Sequence, residues 1–153
     1  MTKLYQTRNT LGENARFASV ALLNAALVDL MNLTNGVRMA HWTVRGPHFA
    51  ALHAKFEEFY DQLGEAVDDS AERVVQLGGT PTGPTQAVGA ATRLAPYPAD
   101  LRDGMAHVAA LADNTRAAID AAAEVGGADT EDLLTGTSRM LDTALWMLEA
   151  HLE

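Results

Sequence analysis

The sequence predicts an all-α fold, a four-helix bundle with one long crossover between its second and third helices. Alanine is abundant and β-branched residues are sparse, which favours helix over strand. Apolar residues recur at helical spacing in four stretches, and only one of the breaks between them, residues 78–97, is long. A chain of 153 residues is about one domain. We therefore expect a single domain over 1–153, with residues 1–10 as a short N-terminal extension.

The first helix is predicted to begin near residues 11–14 and to end near Trp42. The pair Asn35-Gly36 is a turn signal inside this range, but the apolar spacing continues across it through Val37 and Ala40. Arg45-Gly46-Pro47 then stops the helix, because proline cannot continue a helix and glycine favours its end. We therefore expect one helix across Asn35-Gly36 rather than two.

The remaining helices follow from the same signals. A second helix is predicted over 49–77, with Phe49 on its apolar face, and Gly78-Gly79 ends it. The glycine- and proline-rich crossover is expected to carry a short helix near 87–93. A third helix fits 99–125, and a fourth fits 129–152 with Asp129 or Thr130 as N-cap and Trp146 facing the core. This order of elements is a ferritin-type topology.

Composition excludes several classes of function. The chain has no cysteine, so disulfides, thiolate metal sites and thiol catalysis are excluded, and any metal must bind oxygen and imidazole. The net charge is -9, and the only lysines are Lys3 and Lys55, so the surface should repel nucleic acid. The N-terminus lacks a secretory h-region, and no apolar run approaches the ~20 residues that span a membrane. We expect a cytoplasmic protein without a membrane partner.

The predicted second helix carries two pairs of candidate metal ligands. His53 and Glu57 are four residues apart and share a helix face, as do Asp68 and Glu72. Eleven residues separate Glu57 from Asp68, so the pairs lie on nearly one stripe but ~16 Å apart along the axis. A metal with ligands at ~2 Å cannot join them within one chain.

An antiparallel second copy of this helix would unite the two pairs. A two-fold axis near Gln62–Leu63 places His53 and Glu57 of one chain beside Asp68 and Glu72 of the other. His41 can reach the same place if the chain folds back after Trp42. Each dimer then has two equivalent sites. The alternative is that these residues form ordinary solvated helix faces, and spacing alone leaves both interpretations open.

Other metal and polar patterns are absent or weaker. No glutamate has a histidine three residues later, so the Glu-x-x-His signature of a single-chain di-iron bundle is missing, and there is no H-E-x-x-H motif. The isolated His107 and His151 are expected to be structural. Trp42 packs beside His41 and could also donate an electron. Four further carboxylates are expected on solvated or interface surface, namely Glu58, Asp61, Glu65 and Asp69.

The chain contains two long patterns, H-W-x-V-x-G-x-x-F-x-x-L-H and D-x-x-A-E-R-x-x-x-L-G-G-x-P, and the terminal segments LYQTRN and SRMLDTALWMLEAHLE. In these features it resembles the Dps family, the DNA-binding proteins from starved cells, which are also called mini-ferritins. The resemblance covers nearly the entire chain. It implies a shell of twelve subunits and a ferroxidase centre at the two-fold interface that handles two iron ions. The family's ligand positions fall on His41, His53, Glu57, Asp68 and Glu72, and its tryptophan beside the centre falls on Trp42.

The resemblance also implies a reaction and an iron path. Fe²⁺ would be oxidised by hydrogen peroxide, or more slowly by dioxygen, and stored as ferric oxide, which protects against oxidative damage. Asp129 and Asp132 fall near acidic residues that line iron-entry pores in the family, although N-capping explains them equally well. Asp142 is a weaker pore candidate.

DNA binding is the alternative function that the resemblance raises. Family members that compact DNA commonly use a mobile, lysine-rich terminal tail. This chain has only Lys3, Arg8 and Arg16 near its start, and it ends at Glu153 without a basic extension. A nucleoid-packing protein with secondary iron chemistry is therefore the second hypothesis, behind a peroxide-consuming ferroxidase and iron store.

Overall fold

The computed structural model describes residues 4–98, 100–101, 113–114 and 127–151, and over these residues the regular secondary structure is helical. The helices are α1 (Glu13–Thr43), α2 (Phe49–Gln76), the short α3 (Thr85–Ala91) and α4 (Ala128–Glu149). The predicted third helix falls almost entirely outside the described residues. The all-α, ferritin-type prediction is confirmed. The assignment of residues 1–153 to a single domain stays a prediction.

The helix α1 runs without a break through Asn35-Gly36, as the apolar spacing predicts. Gly36 is buried, and Val37 next to it is fully buried in the core. Burial of this apolar stripe outweighs the local turn preference, because glycine costs a helix only about 1 kcal/mol. The turn after α1 contains Gly46 at φ 103°, a left-handed conformation that glycine adopts without steric cost. This turn lets α2 fold back along α1.

Among the described residues, the core lies mainly between α1 and α2. Fully buried side chains from both helices form two adjoining clusters, which α4 completes with Leu134, Leu141 and Leu148. Each buried leucine contributes about 1.5–3 kcal/mol relative to an exposed one. The packing therefore holds α1 and α2 as a rigid antiparallel pair. That pair fixes the distance between side chains that point from one helix to the other.

A buried carboxylate ties the crossover to α1. Asp29 is only 1% exposed, and its Oδ2 accepts a hydrogen bond from Arg93 Nε at 2.9 Å and forms a salt bridge with Arg93 Nη2 at 2.8 Å. Its Oδ1 accepts hydrogen bonds from the Arg93 backbone N–H and the Thr92 hydroxyl. Four donors compensate the cost of burying the charge. The crossover thus leaves α3 in a fixed direction.

The start of α4 differs from the prediction. Its N-cap is Gly127, at φ 82°, with no side-chain capping bond, so neither Asp129 nor Thr130 is the N-cap. Both residues lie in the first turn and contact Arg73 of α2 instead. Arg73 Nη2 lies 3.3 Å from Asp129 Oδ2, and its Nε donates to the Thr130 hydroxyl at 3.4 Å. A tertiary contact to a nearly buried arginine replaces the local cap.

Two predicted core residues lie at the surface. Phe49 is 47% exposed and Trp146 is 66% exposed. Periodicity predicts an apolar face but does not say whether the same chain or another copy covers it.

The N-terminal extension is attached to the end of α2, since the Tyr5 N–H donates to the Gly78 carbonyl oxygen at 2.7 Å.

By length and composition alone, α1 is apolar enough to cross a membrane, so the expectation that no apolar run approaches that length is wrong. Within the most apolar stretch of 18 residues in this helix, 44% is buried inside the protein. The helix also carries Asp29, ion-paired with Arg93. A membrane-spanning helix does not usually bury such an ion pair within one chain, whereas a core helix does.

Candidate metal centre

His41 and His53 lie on different helices and their rings stack at a centroid distance of 3.7 Å. The Nδ1 of His41 is 3.0 Å from the carbonyl oxygen of His53, and the Nδ1 of His53 is 2.9 Å from the carbonyl oxygen of His41. His41 lies in the last turn of α1, and His53 lies in the second turn of α2. The tight turn between the helices therefore places both rings at one end of the α1–α2 pair.

These reciprocal bonds orient both histidine rings. A carbonyl oxygen only accepts, so each Nδ1 must carry the proton and donate it. Nε2 is therefore the nitrogen of each ring through which a metal can bind. Metal-binding histidines commonly donate their other N–H to a carbonyl or carboxylate in this way, which orients the ring and raises its basicity. The backbone thus prepares both rings as ligands.

Glu57 supplies the oxygen ligand next to them. It lies one turn after His53 on α2, and its Oε2 is 3.1 Å from Nε2 of His41. Two neighbouring ligands of an octahedral ion, each at roughly 2.1 Å, stand about 3 Å apart. The spacing between this nitrogen and this oxygen therefore fits one cation bound to both. A borderline ion such as iron suits a mixed imidazole and carboxylate set.

A cationic side chain already contacts the same carboxylate. Arg38 lies on α1, three residues before His41, and its Nη1 donates to Glu57 Oε2 at 2.8 Å. Its guanidinium also lies over the Tyr60 ring at 4.1 Å and 5.7 Å from the Trp42 ring. Sequence spacing did not single out Arg38 or Tyr60. The position of Arg38 three residues before His41 on one helix was the available signal, but the contact with Glu57 depends on how α1 and α2 pack.

The other two predicted ligands lie far from this group. Asp68 and Glu72 are exposed on α2 and form no salt bridge within the described part of the chain. From Glu57 to Asp68 the helix advances by ~16 Å. Over the same residues, no three histidine or acidic side chains of one chain are arranged to hold a metal ion by themselves. One chain brings His41, His53 and Glu57 together and leaves Asp68 and Glu72 elsewhere.

The remaining predicted site residues have varied surroundings. Trp42 follows His41 and is 66% exposed. Asp129 pairs with Arg73, so part of its charge is offset. Asp132 is exposed and lines a shallow groove between α2 and α4, together with Glu65 and Asp69. The pore assignments of Asp129 and Asp132 stay predictions.

The family model of the ferritin-like domain matches residues 20–153. The chain is 40% identical over 158 aligned residues to a DNA protection during starvation protein of Agrobacterium fabrum, and the alignment covers 99% of this chain and 98% of that protein. This chain belongs to the Dps family. A Brevibacillus brevis relative with the same descriptive name is 32% identical over 86% of this chain and 93% of its own length.

Solved Dps structures share this fold. DpsC from Streptomyces coelicolor superposes with a TM-score of 0.93 at 28% identity, covering 99% of this chain and 92% of that one. A Dps protein from Vibrio cholerae O1, described as a member of a broad superfamily of ferritin-like diiron-carboxylate proteins, superposes with a TM-score of 0.81 at 26% identity, covering 99% and 100%.

Proposed function

We propose that this Dps protein is a cytoplasmic ferroxidase and iron store whose catalytic centres are each shared between two copies of the chain. The observation that carries the proposal is the division of ligands along α2. His41, His53 and Glu57 converge at one end, and Asp68 and Glu72 lie exposed on nearly the same stripe about 16 Å away. An antiparallel α2 from a second copy brings the two halves together around a two-fold axis near Gln62–Leu63.

The imidazoles and the carboxylates have distinct roles in this proposal. The two imidazoles are oriented by hydrogen bonds to backbone carbonyl groups and would hold the substrate Fe²⁺ through Nε2. The carboxylates Glu57, Asp68 and Glu72 favour the harder Fe³⁺ product. Two Fe²⁺ ions transfer two electrons to one hydrogen peroxide molecule, which takes up two protons and leaves as two water molecules. The paired transfer releases no hydroxyl radical.

Storage and assembly extend the proposal. Two-fold dimers build a twelve-subunit shell, acidic pores lined by Asp129 and Asp132 attract Fe²⁺, and the ferric product is deposited inside. Trp42 lies beside the centre, with its ring exposed and 5.7 Å from the Arg38 guanidinium. In this position it can give up an electron when the second ferrous ion is missing.

Subunit mixing tests whether the centre is shared. The variants His53→Ala and Asp68→Ala/Glu72→Ala, prepared separately, should each lose most ferroxidase activity. After dissociation and joint reassembly in equal amounts, half of the dimers are mixed and each mixed dimer has one complete site. We expect recovery of about a quarter of the wild-type rate of ferric absorbance, because two sites per dimer are shared in this way.

A matched mixture provides the control. His53→Ala and Glu57→Ala affect the same half of the centre, so no mixed dimer regains a complete site and the rate should stay at that of the separate variants. Equal recovery in both mixtures, or none in the first, contradicts a shared centre. Size-exclusion chromatography of each mixture verifies that the variants reassemble.

Direct DNA binding is the second candidate function, because relatives are named for DNA protection. Iron and peroxide removal protects DNA without contact, however, and a chain with net charge -9 repels phosphate. A gel-shift assay at low salt with metal chelated distinguishes the two. Unretarded DNA together with ferroxidase activity supports the iron store, and retarded DNA supports nucleoid packing.

A further inference from the structure

The C-terminal end of α2 has backbone carbonyl groups that the helix itself cannot satisfy. The last four carbonyl groups of an α-helix have no donor from within the helix. Here Gly78 adopts φ 82°, and the chain reverses so that the N–H groups of residues 77–79 donate back to the carbonyl oxygens of residues 73–75. This is a common glycine-dependent way to end a helix. It leaves the carbonyl groups of residues 76–78 to find donors elsewhere in the chain.

The N-terminal part of the chain supplies a donor to each of these three groups. The Thr7 hydroxyl donates to the carbonyl oxygen of residue 76 at 3.3 Å, and Arg16 Nη1 donates to that of residue 77 at 3.3 Å. The Tyr5 N–H donates to that of residue 78 at 2.7 Å. The segment runs directly against the helix end, since a Cβ added to Gly78 would lie 2.5 Å from the Tyr5 carbonyl oxygen. The positive charge of Arg16 also suits the negative end of the helix dipole.

Glu72 lies on the turn of α2 that these contacts hold. It is exposed, as are Val75 and Gln76, whereas Val74 and Leu77 are fully buried on the other side of the same turn. Core packing therefore fixes one face of the turn, and the face that carries Glu72 depends on the contacts at the helix end. Helix ends fray, but a metal ligand must stay within about 0.5 Å of its working position. A ligand one turn from the end therefore needs an end that is held.

We propose that Arg16 is a positioning residue of the shared centre. It holds the end of α2, and through it the Glu72 carboxylate that one copy lends to the metal bound by the other. The Thr7 hydroxyl and the Tyr5 backbone assist it at the two neighbouring carbonyl groups. The inference rests on the proposed function, since Glu72 reaches a metal only in a dimer. It also gives Arg16 a role other than contact with DNA phosphate, because its guanidinium is directed at α2 and its Nε is buried.

Titration of the assembled protein with Co²⁺ tests this without any turnover. Co²⁺ has the same charge as Fe²⁺, binds imidazole and carboxylate ligands, and reports its coordination through visible absorbance. Arg16→Met removes the donor and keeps a long side chain, and we expect it to bind Co²⁺ about tenfold more weakly than the wild type. Arg16→Lys retains a cationic donor and should restore most of the affinity. Arg8→Met makes the same change at an exposed residue of the same segment and should titrate like the wild type.

Subunit mixing shows which half of the centre the substitution affects. Arg16→Met is reassembled in one mixture with Asp68→Ala/Glu72→Ala and in another with His53→Ala. In the first mixture, the complete site of each mixed dimer takes its Asp68 and Glu72 from the Arg16→Met copy and should bind Co²⁺ weakly. In the second mixture, the complete site takes its imidazoles from that copy and should bind Co²⁺ as tightly as the wild type. Homodimers of Arg16→Met contribute equally to both mixtures, so the difference comes from the mixed dimers.

Two results would overturn the assignment. One is an Arg16→Met protein that binds Co²⁺ as tightly as the wild type, and the other is equal weakening in both mixtures, which indicates a general loss of structure. If Arg16→Met does not assemble, Thr7→Val in the same two mixtures should show the same difference, with Thr7→Ser as the control that keeps the hydroxyl. Failure of the shared centre looks different, because a mixture of His53→Ala with Asp68→Ala/Glu72→Ala would then regain no Co²⁺ site.

Discussion

His41 and His53 each donate Nδ1–H to the other's backbone carbonyl oxygen, at 3.0 and 2.9 Å, across the gap between α1 and α2. The relationship is both structural and chemical. Each bond adds about 1 kcal/mol to the association of the two helices, and each leaves Nε2 available for a metal. The tight turn at Gly46 makes this possible, because it returns the chain within a few residues of the end of α1.

Replacing one of the paired histidines should weaken metal binding without unfolding the protein. His53→Ala removes one candidate ligand, the stacked ring and one interhelical bond, while the buried core around Phe56 is unchanged. We expect the Co²⁺ affinity of the assembled protein to fall at least tenfold, or about 1.4 kcal/mol. His151→Ala is the matched control, because the His151 Nδ1 bonds to the Met147 carbonyl oxygen, four residues earlier in the chain. Equal losses in both variants would contradict the assignment.

The buried ion pair of the crossover should dominate the stability of that segment. Asp29→Asn keeps the size of the side chain but removes the charge that four hydrogen-bond and salt-bridge contacts compensate. We expect a loss of about 2–3 kcal/mol in the free energy of unfolding, since Arg93 is half-exposed and is partly rehydrated. Urea denaturation at fixed protein concentration measures it. Asp142→Asn, at an exposed position on α4, makes the same chemical change and should leave the midpoint nearly unchanged.

The sequence predicts the extents of α1 and α2 well because their ends carry local chemistry. Gly46-Pro47 and Gly78-Gly79 end α1 and α2 close to the residues where the structure ends them. Apolar spacing also predicts the continuity of α1 across Asn35-Gly36. The N-cap of α4 is predicted wrongly, because Arg73 reaches the first turn from another helix and engages Asp129.

The candidate centre is predictable only in part. Spacing on α2 pairs His53 with Glu57 and Asp68 with Glu72, because both pairs depend on one helix. The histidine pair across the helices and the Arg38 contact to Glu57 depend on the packing of α1 against α2, which periodicity does not specify. The exposure of Phe49 and Trp146 has the same origin, since an apolar stripe does not reveal which copy covers it.

Tyr97 should make the fold sensitive to alkaline pH. Burial raises the pKa of its phenol far above the ordinary value, because the ionised form is poorly solvated there. Its contribution to stability is fully present below the unfolded pKa near 10 and is lost as pH rises beyond it. We expect the urea midpoint of the wild type to fall between pH 9 and about pH 11 more steeply than that of Tyr97→Phe. Tyr5→Phe, at a residue that is 69% exposed, should behave like the wild type.

Gly64 provides a test of the proposed two-fold axis that needs no metal. It lies on α2 between Glu57 and Asp68, next to the axis near Gln62–Leu63. Among the described residues of the single chain, a Cβ there meets no atom within 4 Å apart from its chain neighbours and its own helix backbone. Gly64→Gln should therefore be harmless or slightly stabilising within one subunit, because glycine is a poor helix former. In a close antiparallel pair of α2 helices, its side chain would enter the interface and crowd the partner.

We expect Gly64→Gln to weaken dimer assembly at least tenfold in light-scattering measurements across a dilution series, with unchanged helix content by circular dichroism. Gly89→Gln is the matched control. Gly89 is also a helical glycine where, within the described part of the chain, an added Cβ meets nothing within 4 Å beyond its chain neighbours and its own helix backbone, and it lies on α3, away from the ligand stripe. Assembly that is unaffected by Gly64→Gln, or weakened equally by both variants, would place the two-fold contact on another surface. Such a result would remove the geometric basis for joining Glu57 of one copy to Asp68 of the other.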